Sequence, residues 1–292
     1  MKLLSHRVLL AFFWLTGFLT LASVGSLLIF LFVKGVPSLS LQLIFGGADP
    51  FRALLLRERV FDGLFPAIVG TTAVVVLSVS WAIPVGIAAG IYLAEFSGQN
   101  LKKIFNFSFD ILAATPSIVI GLFGLTVAIF LHQHFSDRIY PCLLTSSVAL
   151  AVLVLPYIVR TTQLSIDAVP HSMRAAGLSL GASKLQNLYH VLLPSSLSGI
   201  LSGVILALGR AAEDTAVIML TGVVATAGIP GSLLAKYEAL PFYIYYISSQ
   251  YTDQKELMTG FGAALILLTI CASLFVAAHL LKNLLVHRLR KK

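Results

Sequence analysis

The sequence predicts an all-α integral membrane protein with about six transmembrane helices, and three observations carry that prediction. The chain is 58% hydrophobic, with a mean hydropathy of +0.94. Only 11% of its residues are charged, where a soluble domain carries about 25%. Apolar runs of about 20 residues, long enough to cross a bilayer, fall near 8–33, 66–93, 106–131, 143–165, 197–223 and 258–285. Lipid is therefore the expected solvent for most of the chain.

The first run follows Lys2, His6 and Arg7 and exceeds the roughly 7–15 apolar residues of a signal-peptide core, so an uncleaved signal anchor is expected. With the loop that follows it, broken at Gly46-Gly47-Ala48-Asp49-Pro50, it makes an anchor unit over 1–65. The charged run Arg57-Glu58-Arg59 in that loop reads as a solvated face. Residues 66–285 form the main membrane domain, and 286–292 a basic tail.

The second run contains Pro84, a kink that neighbouring helices in a bundle can accommodate. Gly86 and Gly90 form a small-xxx-small pattern, which fits either close helix contact or two glycines tolerated in lipid. The third carries Ala114-Thr115-Pro116-Ser117, expected to bend mid-span or line a cavity. Asp110 near its inner end reads as interfacial. His132 and His134 are too few ligands for a metal site. Cys142 and Cys271 sit at different depths and imply no disulfide.

Lysine and arginine set the orientation. With the N-terminus inside, the inner segments hold Lys2, Arg7, Lys102, Lys103, Arg160, Arg174, Lys184 and the five tail residues from Lys282 to Lys292. That is twelve, against seven in the outer segments, which places both termini in the cytoplasm. The net charge of +8 is scattered over loops and tail, which argues against a nucleic-acid partner. The chain has no GxxxxGK[ST] loop, so it is not expected to hydrolyse ATP itself.

Two segments depart from the lipid pattern. Residues 170–194, PHSMRAAGLSLGASKLQNLYHVLLP, form a polar insert on the cytoplasmic side. Pro170 suits a first helical turn. Met173, Ala176, Gly177 and Leu180 share one face, and Gly181 suits a left-handed stop. Ser183 can cap a second helix ending at Pro194. Two short helices joined at a glycine are a shape suited to being gripped by a partner.

The second departure is Arg210-Ala211-Ala212-Glu213-Asp214-Thr215, inside the fifth run. Ionised groups there cost a few kcal/mol each and face a cavity or one another. Arg210 can reach Glu213 at i+3 or Asp214 at i+4. The two carboxylates would point about 100° apart on a helix, so at most one should be ideally placed. A buried pair fixing helix register and a transient anion site built on the planar arginine fork both fit.

The polar insert resembles the EAA loop of ATP-binding-cassette (ABC) importer permeases. Ala175-Ala176-Gly177, then Gly181, Val191 and Leu193-Pro194, reproduce its spacing, with Ala175 at the signature Glu and Gly177 at its second Ala. Pro66–Thr71, Ile91–Glu95, Thr115–Leu122 and Arg210–Thr215 resemble the phosphate-transport permease (PstA-type) family. Glu213 stands where that family usually has Gly, and Asp214 where it has Glu.

The resemblance implies a type I ABC importer permease fold with a cytoplasmic coupling helix, in a bacterial inner membrane. It implies a second related permease, two ABC ATPase subunits that bind ATP and Mg, and an extracytoplasmic phosphate-binding protein. Arg210, Asp214, Glu213 and Thr215 would lie on the substrate path. Arg174, Ala175, Ala176, Gly177, Gly181, Lys184 and Pro194 would belong to ATPase docking. Other oxyanions (phosphonate, sulfate or molybdate) and a sensory or scaffold role in phosphate signalling are the alternatives.

Overall fold

The computed structural model describes residues 2–55, 60, 62–135 and 140–290; the charged run 57–59 lies outside them. The described residues are almost entirely helical: α1 (Lys2–Gly35), α2 (Leu41–Phe45), α3 (Pro50–Leu54), α4 (Phe65–Ile91), α5 (Gln99–Ala114), α6 (Ser117–His134), α7 (Leu143–Asp167), α8 (His171–Ser179), α9 (Lys184–Asn187), α10 (Leu193–Ala212), α11 (Ala216–Thr221), α12 (Leu240–Gln250) and α13 (Gln254–Arg290). Among the described residues six helical segments are long and apolar enough to cross a membrane: Leu9–Ser38, Phe65–Phe96, Ser117–His134, Leu143–Asp167, Lys184–Ala212 and Gln254–His287.

Two spans differ from expectation. The third starts at Ser117, not near 106. Pro116 has no N–H and drives the preceding residue out of the helical region, and Thr115 is extended at φ −68°, ψ 129°. Residues 99–114 thus form a separate amphipathic helix, tied to α7 by a Lys102–Asp167 ion pair at 3.0 Å. The fifth span begins at Lys184, runs through a π-turn at Leu188–Leu192, and stops at Ala212. Pro194 therefore starts a membrane helix where it was expected to end a surface one. The extra residue of the π-turn gives its ring room, which an unbroken α-helix denies.

α7 is the axis of the bundle. Its Leu150, Val154 and Ile158 are buried against Val74, Val75 and Val79 of α4, Ala207 and Ala211 of α10, and Val217 and Ile218 of α11. Lipid tails compete equally for apolar side chains, so close backbone approach decides which helices associate. A Cβ on Gly86 would sit 2.7 Å from Ile158, and one on Gly90 would sit 2.6 Å from Thr162. The small-xxx-small pair is thus a contact surface for α7.

α1 stands apart, with none of its most apolar window buried in the chain. It meets α13 where Phe30 packs edge-on to Phe261 at 5.6 Å and where Gly35 abuts Leu265. The segment between α11 and α12 crosses the N-terminal end of α7. Ala235 and Leu233 carbonyls accept the Leu143 and Leu144 N–H groups at 3.0 and 2.8 Å, satisfying donors the helix leaves free. In the same segment Glu238 accepts from the Ala227 and Gly228 N–H groups at 2.9 and 2.7 Å.

Candidate functional site

The charged cluster occupies a break in a membrane-spanning path. α10 runs antiparallel to α7, with Gly199 against Ser165 and Gly203 against Thr161. Continued in register, that pairing brings Arg210 level with Val154, midway along α7. Beyond the break α11 leads to the N-terminal end of α7, where Thr221 Oγ1 donates to Ser146 Oγ at 3.0 Å. The cluster therefore lies near mid-depth in the bundle.

The break has a local cause. Asp side chains compete with the helix ladder for backbone N–H groups, and Asp214 Oδ1 accepts the Val217 N–H at 2.8 Å, starting α11. Its other oxygen, Oδ2, lies 3.5 Å from Arg210 Nη1, and Glu213 Oε1 lies 3.1 Å from the same nitrogen. Both carboxylates thus reach the guanidinium, as the spacing allowed, but only Glu213 is placed to accept a hydrogen bond from it, with Asp214 as the more distant partner. The two acids differ in setting: the Asp214 side chain is 3% exposed and Glu213 67%. Thr215 is half-buried and offers its carbonyl to the Met219 N–H at 3.0 Å.

One turn along α10 from Arg210, Leu206 borders a cleft of about 270 Å³ whose other walls include Asn106 and Asp110 of α5 and Arg160 and Gln163 of α7. Asp110, expected at an interface with water, is exposed and borders the mouth of this cleft. Gln163 is buried and its Oε1 has no hydrogen-bond partner among the described residues. Sequence reasoning counted Arg160 only as a topological charge and passed over Gln163. The i, i+4 spacing of Asn106 and Asp110 was the available signal.

The polar insert folds as α8, a left-handed turn with Gly181 at φ +82°, and α9. Ser183 caps α9, its Oγ accepting the Gln186 N–H at 3.3 Å while Gln186 Oε1 accepts the Ser183 N–H at 2.8 Å. α9 then continues through the π-turn into α10, so α8 is the single free-standing short helix there. Met173, Leu178, Leu180, Leu185 and Tyr189 are exposed, Leu180 to 89%. Ala176, Gly181 and Lys184 share that exposure, as does Pro194 at the start of α10.

Arg174 and Gly177 do not. The Arg174 guanidinium turns inward to the Glu95 carboxylate and the Ile166 carbonyl, with Nε also 3.3 Å from the Val169 carbonyl. Gly177 faces Asn187, whose Nδ2 donates to the Arg174 carbonyl at 3.2 Å. Ala175, at the position of the signature Glu, is half-buried. Sequence reasoning assigned no role to Glu95 or Asn187, because their partners lie far along the chain or across a turn.

A family model described as "Binding-protein-dependent transport system inner membrane component" matches residues 86–291. The chain is 32% identical over 269 residues to the phosphate transport system permease protein PstA of Pasteurella multocida, covering 91% of each. It is 31% identical to the PstA of Haemophilus influenzae, over 92% of this chain and 88% of that protein. A probable ABC transporter permease of Bacillus subtilis is 32% identical over 210 residues, covering 69% of this chain and 67% of that protein. In fold, the chain resembles the permease of the MetNI methionine ABC transporter in an inward-facing conformation, with a TM-score of 0.56 at 18% identity, over 83% of this chain and 99% of that one. With its six apolar helices, its EAA-like turn and a family match over most of its length, the chain belongs to the inner-membrane components of binding-protein-dependent transport systems.

Proposed function

We propose that this chain is a permease subunit of an ATP-driven importer of inorganic phosphate. The observation that carries the reading is Arg210, held by two carboxylates at a mid-depth helix break. The PstA names of relatives such as those of Pasteurella multocida and Haemophilus influenzae support phosphate as the substrate class. In the proposed orientation both termini, the α5 region and α8 face the cytoplasm, while the α2–α3 loop and the segment between α11 and α12 face outward. A second related permease completes the path, two ATPase subunits holding ATP and Mg grip α8, and a phosphate-binding protein delivers substrate from outside.

Chemistry at the break follows from the unequal acids. Asp214 is tied to the Val217 N–H and stays. Glu213 is exposed, and among the described residues its one side-chain bond is to Arg210. Incoming phosphate takes the Glu213 place on the planar guanidinium fork, which matches two oxyanion oxygens. Asp214 then keeps the site from binding phosphate too tightly to release it, the condition for passage along any path.

ATP hydrolysis by the reconstituted complex with its binding protein tests this, with phosphate, sulfate, molybdate or a phosphonate added in turn. Stimulation by phosphate alone is expected. An equal response to all four anions would remove phosphate from the reading, and absence of any ATPase association would remove the importer.

A further inference from the structure

At the α8 end of the bundle, one guanidinium joins elements that are distant in sequence. Arg174 sits in the first turn of α8. Its bonds to the Ile166 and Val169 carbonyls hold the end of α7. Its ion pair with Glu95 reaches the π-turn Tyr92–Phe96 that closes α4. On the far side Asn187 bonds the Arg174 carbonyl from α9, just before the second π-turn. Beneath this frame Val169, Leu188 and Leu192 are buried, with Ile91 and Leu193 packed against them.

These attachments are unequal. α8 follows α7 in the chain after three residues, and α9 runs unbroken into α10, so a push on α8 reaches both through covalent backbone. α4 has no such link. Its last turn meets α8 through Glu95, and the two side chains are 21% and 22% exposed. That shelter strengthens the pair beyond an ordinary surface bridge without a full desolvation cost. α4 and α10 each carry a π-turn at this end, the kind of helix defect that tolerates a change of register.

We infer that the Arg174–Glu95 pair is the strut by which displacement of α8 moves α4, making both residues positioning residues for coupling. The inference rests on the proposed reading that ATPase subunits grip α8. α4 packs along α7 and α10, so its movement reaches the helices that frame Arg210.

The test uses the complete transporter with its ATPases and binding protein in proteoliposomes, reading phosphate uptake and ATP hydrolysis on the same sample. Glu95→Gln keeps size and hydrogen-bonding capacity but removes the charge. It should co-purify with the ATPases in the wild-type ratio and hydrolyse ATP within about twofold of wild type, while phosphate moved per ATP falls at least about fivefold, the low end of measured coupling effects. Glu95→Asp should recover part of that loss, a rescue that a purely structural role would not show in the ratio. An unchanged uptake-to-hydrolysis ratio in Glu95→Gln overturns the strut. So does a complex that falls apart in both variants, since the pair would then serve assembly alone. A wild-type chain that binds no ATPase sinks the importer reading itself, a distinguishable failure.

Discussion

Gly177 and Asn187 occupy one another's space: a Cβ on Gly177 would lie 2.2 Å from Asn187 Oδ1. This contact accounts for the departure from the EAA pattern, since the alanine usual at this position would collide with a side chain that also holds the Arg174 carbonyl. Gly177→Ala should therefore destabilise the α8–α9 turn by about 1–3 kcal/mol, the usual cost of overpacking. Gly177→Ala combined with Asn187→Ala should recover much of the loss. Thermal unfolding of the detergent-solubilised protein, with proteolysis near Gly181 as a local probe, separates the two.

At the mid-depth break the two acids should respond differently to neutralisation. Glu213→Gln removes the exposed competitor for Arg210, and half-saturation of uptake should fall to lower phosphate by up to about fivefold, equivalent to ~1 kcal/mol of exposed ion pair. Asp214→Asn weakens a buried acceptor and should lower stability by about 1–3 kcal/mol. Uptake per folded complex should also fall, because Arg210 without its buried counter-ion holds phosphate too tightly to release it; uptake spared per folded complex would make Asp214 purely structural. Concentration-dependent uptake beside thermal unfolding reads both.

Arg210→Lys keeps the charge and loses the planar fork. Lysine cannot reproduce the paired donation to an oxyanion, so phosphate-stimulated turnover should drop at least about tenfold while assembly with the partner subunits persists, one such bond being worth ~1.5–3 kcal/mol. Turnover at wild-type level would show that the fork is not used.

Glu238 gives a pH dependence. Burial raises its carboxyl above the ordinary value, partly offset by the Gly228 and Ala227 N–H groups. A carboxyl that holds its proton more tightly when folded contributes stability below its unfolded pKa and loses it as pH rises through the folded one. Glu238→Gln retains an acceptor for both amides and has no proton to lose. Its thermal midpoint should exceed wild type at neutral pH, and the gap should close as the buffer is taken into the carboxylate range.

Packing between α4 and α7 can be checked against an internal control. A Cβ on Gly90 meets Thr162 at 2.6 Å and the Val159 carbonyl at 2.8 Å, whereas one on Gly25 in α1 meets nothing within 4 Å. Gly90→Ala should cost about 1–3 kcal/mol. Gly25→Ala should be neutral within about 0.5 kcal/mol in the same unfolding assay.

The membrane spans were legible because hydropathy over a bilayer's width is a property of composition, blind to what interrupts it. That blindness also explains the misses. The Pro116 break lies inside an apolar run and the π-turn before Pro194 lies in the polar insert just ahead of one, and a proline alone does not reveal whether a membrane helix kinks, stops or begins. Asp214 ends α10 by taking a backbone N–H three residues ahead, a choice that depends on local geometry. Gly181 and Ser183 were readable because a left-handed glycine and a capping hydroxyl act within a few residues. Arg174 was assigned to a partner surface because Glu95, which claims it, lies 79 residues away.

α1 touches the rest of the chain along little more than α13, and none of its most apolar window is covered by this chain. Within this polypeptide its side chains answer mainly to oil solubility, so Leu, Ile, Phe and Val are there nearly interchangeable. Such a helix can drift quickly over evolutionary time while α7 stays constrained. It is also the part of the chain whose replacement by an unrelated apolar segment would disturb the fold least, provided Gly35 keeps its place against Leu265.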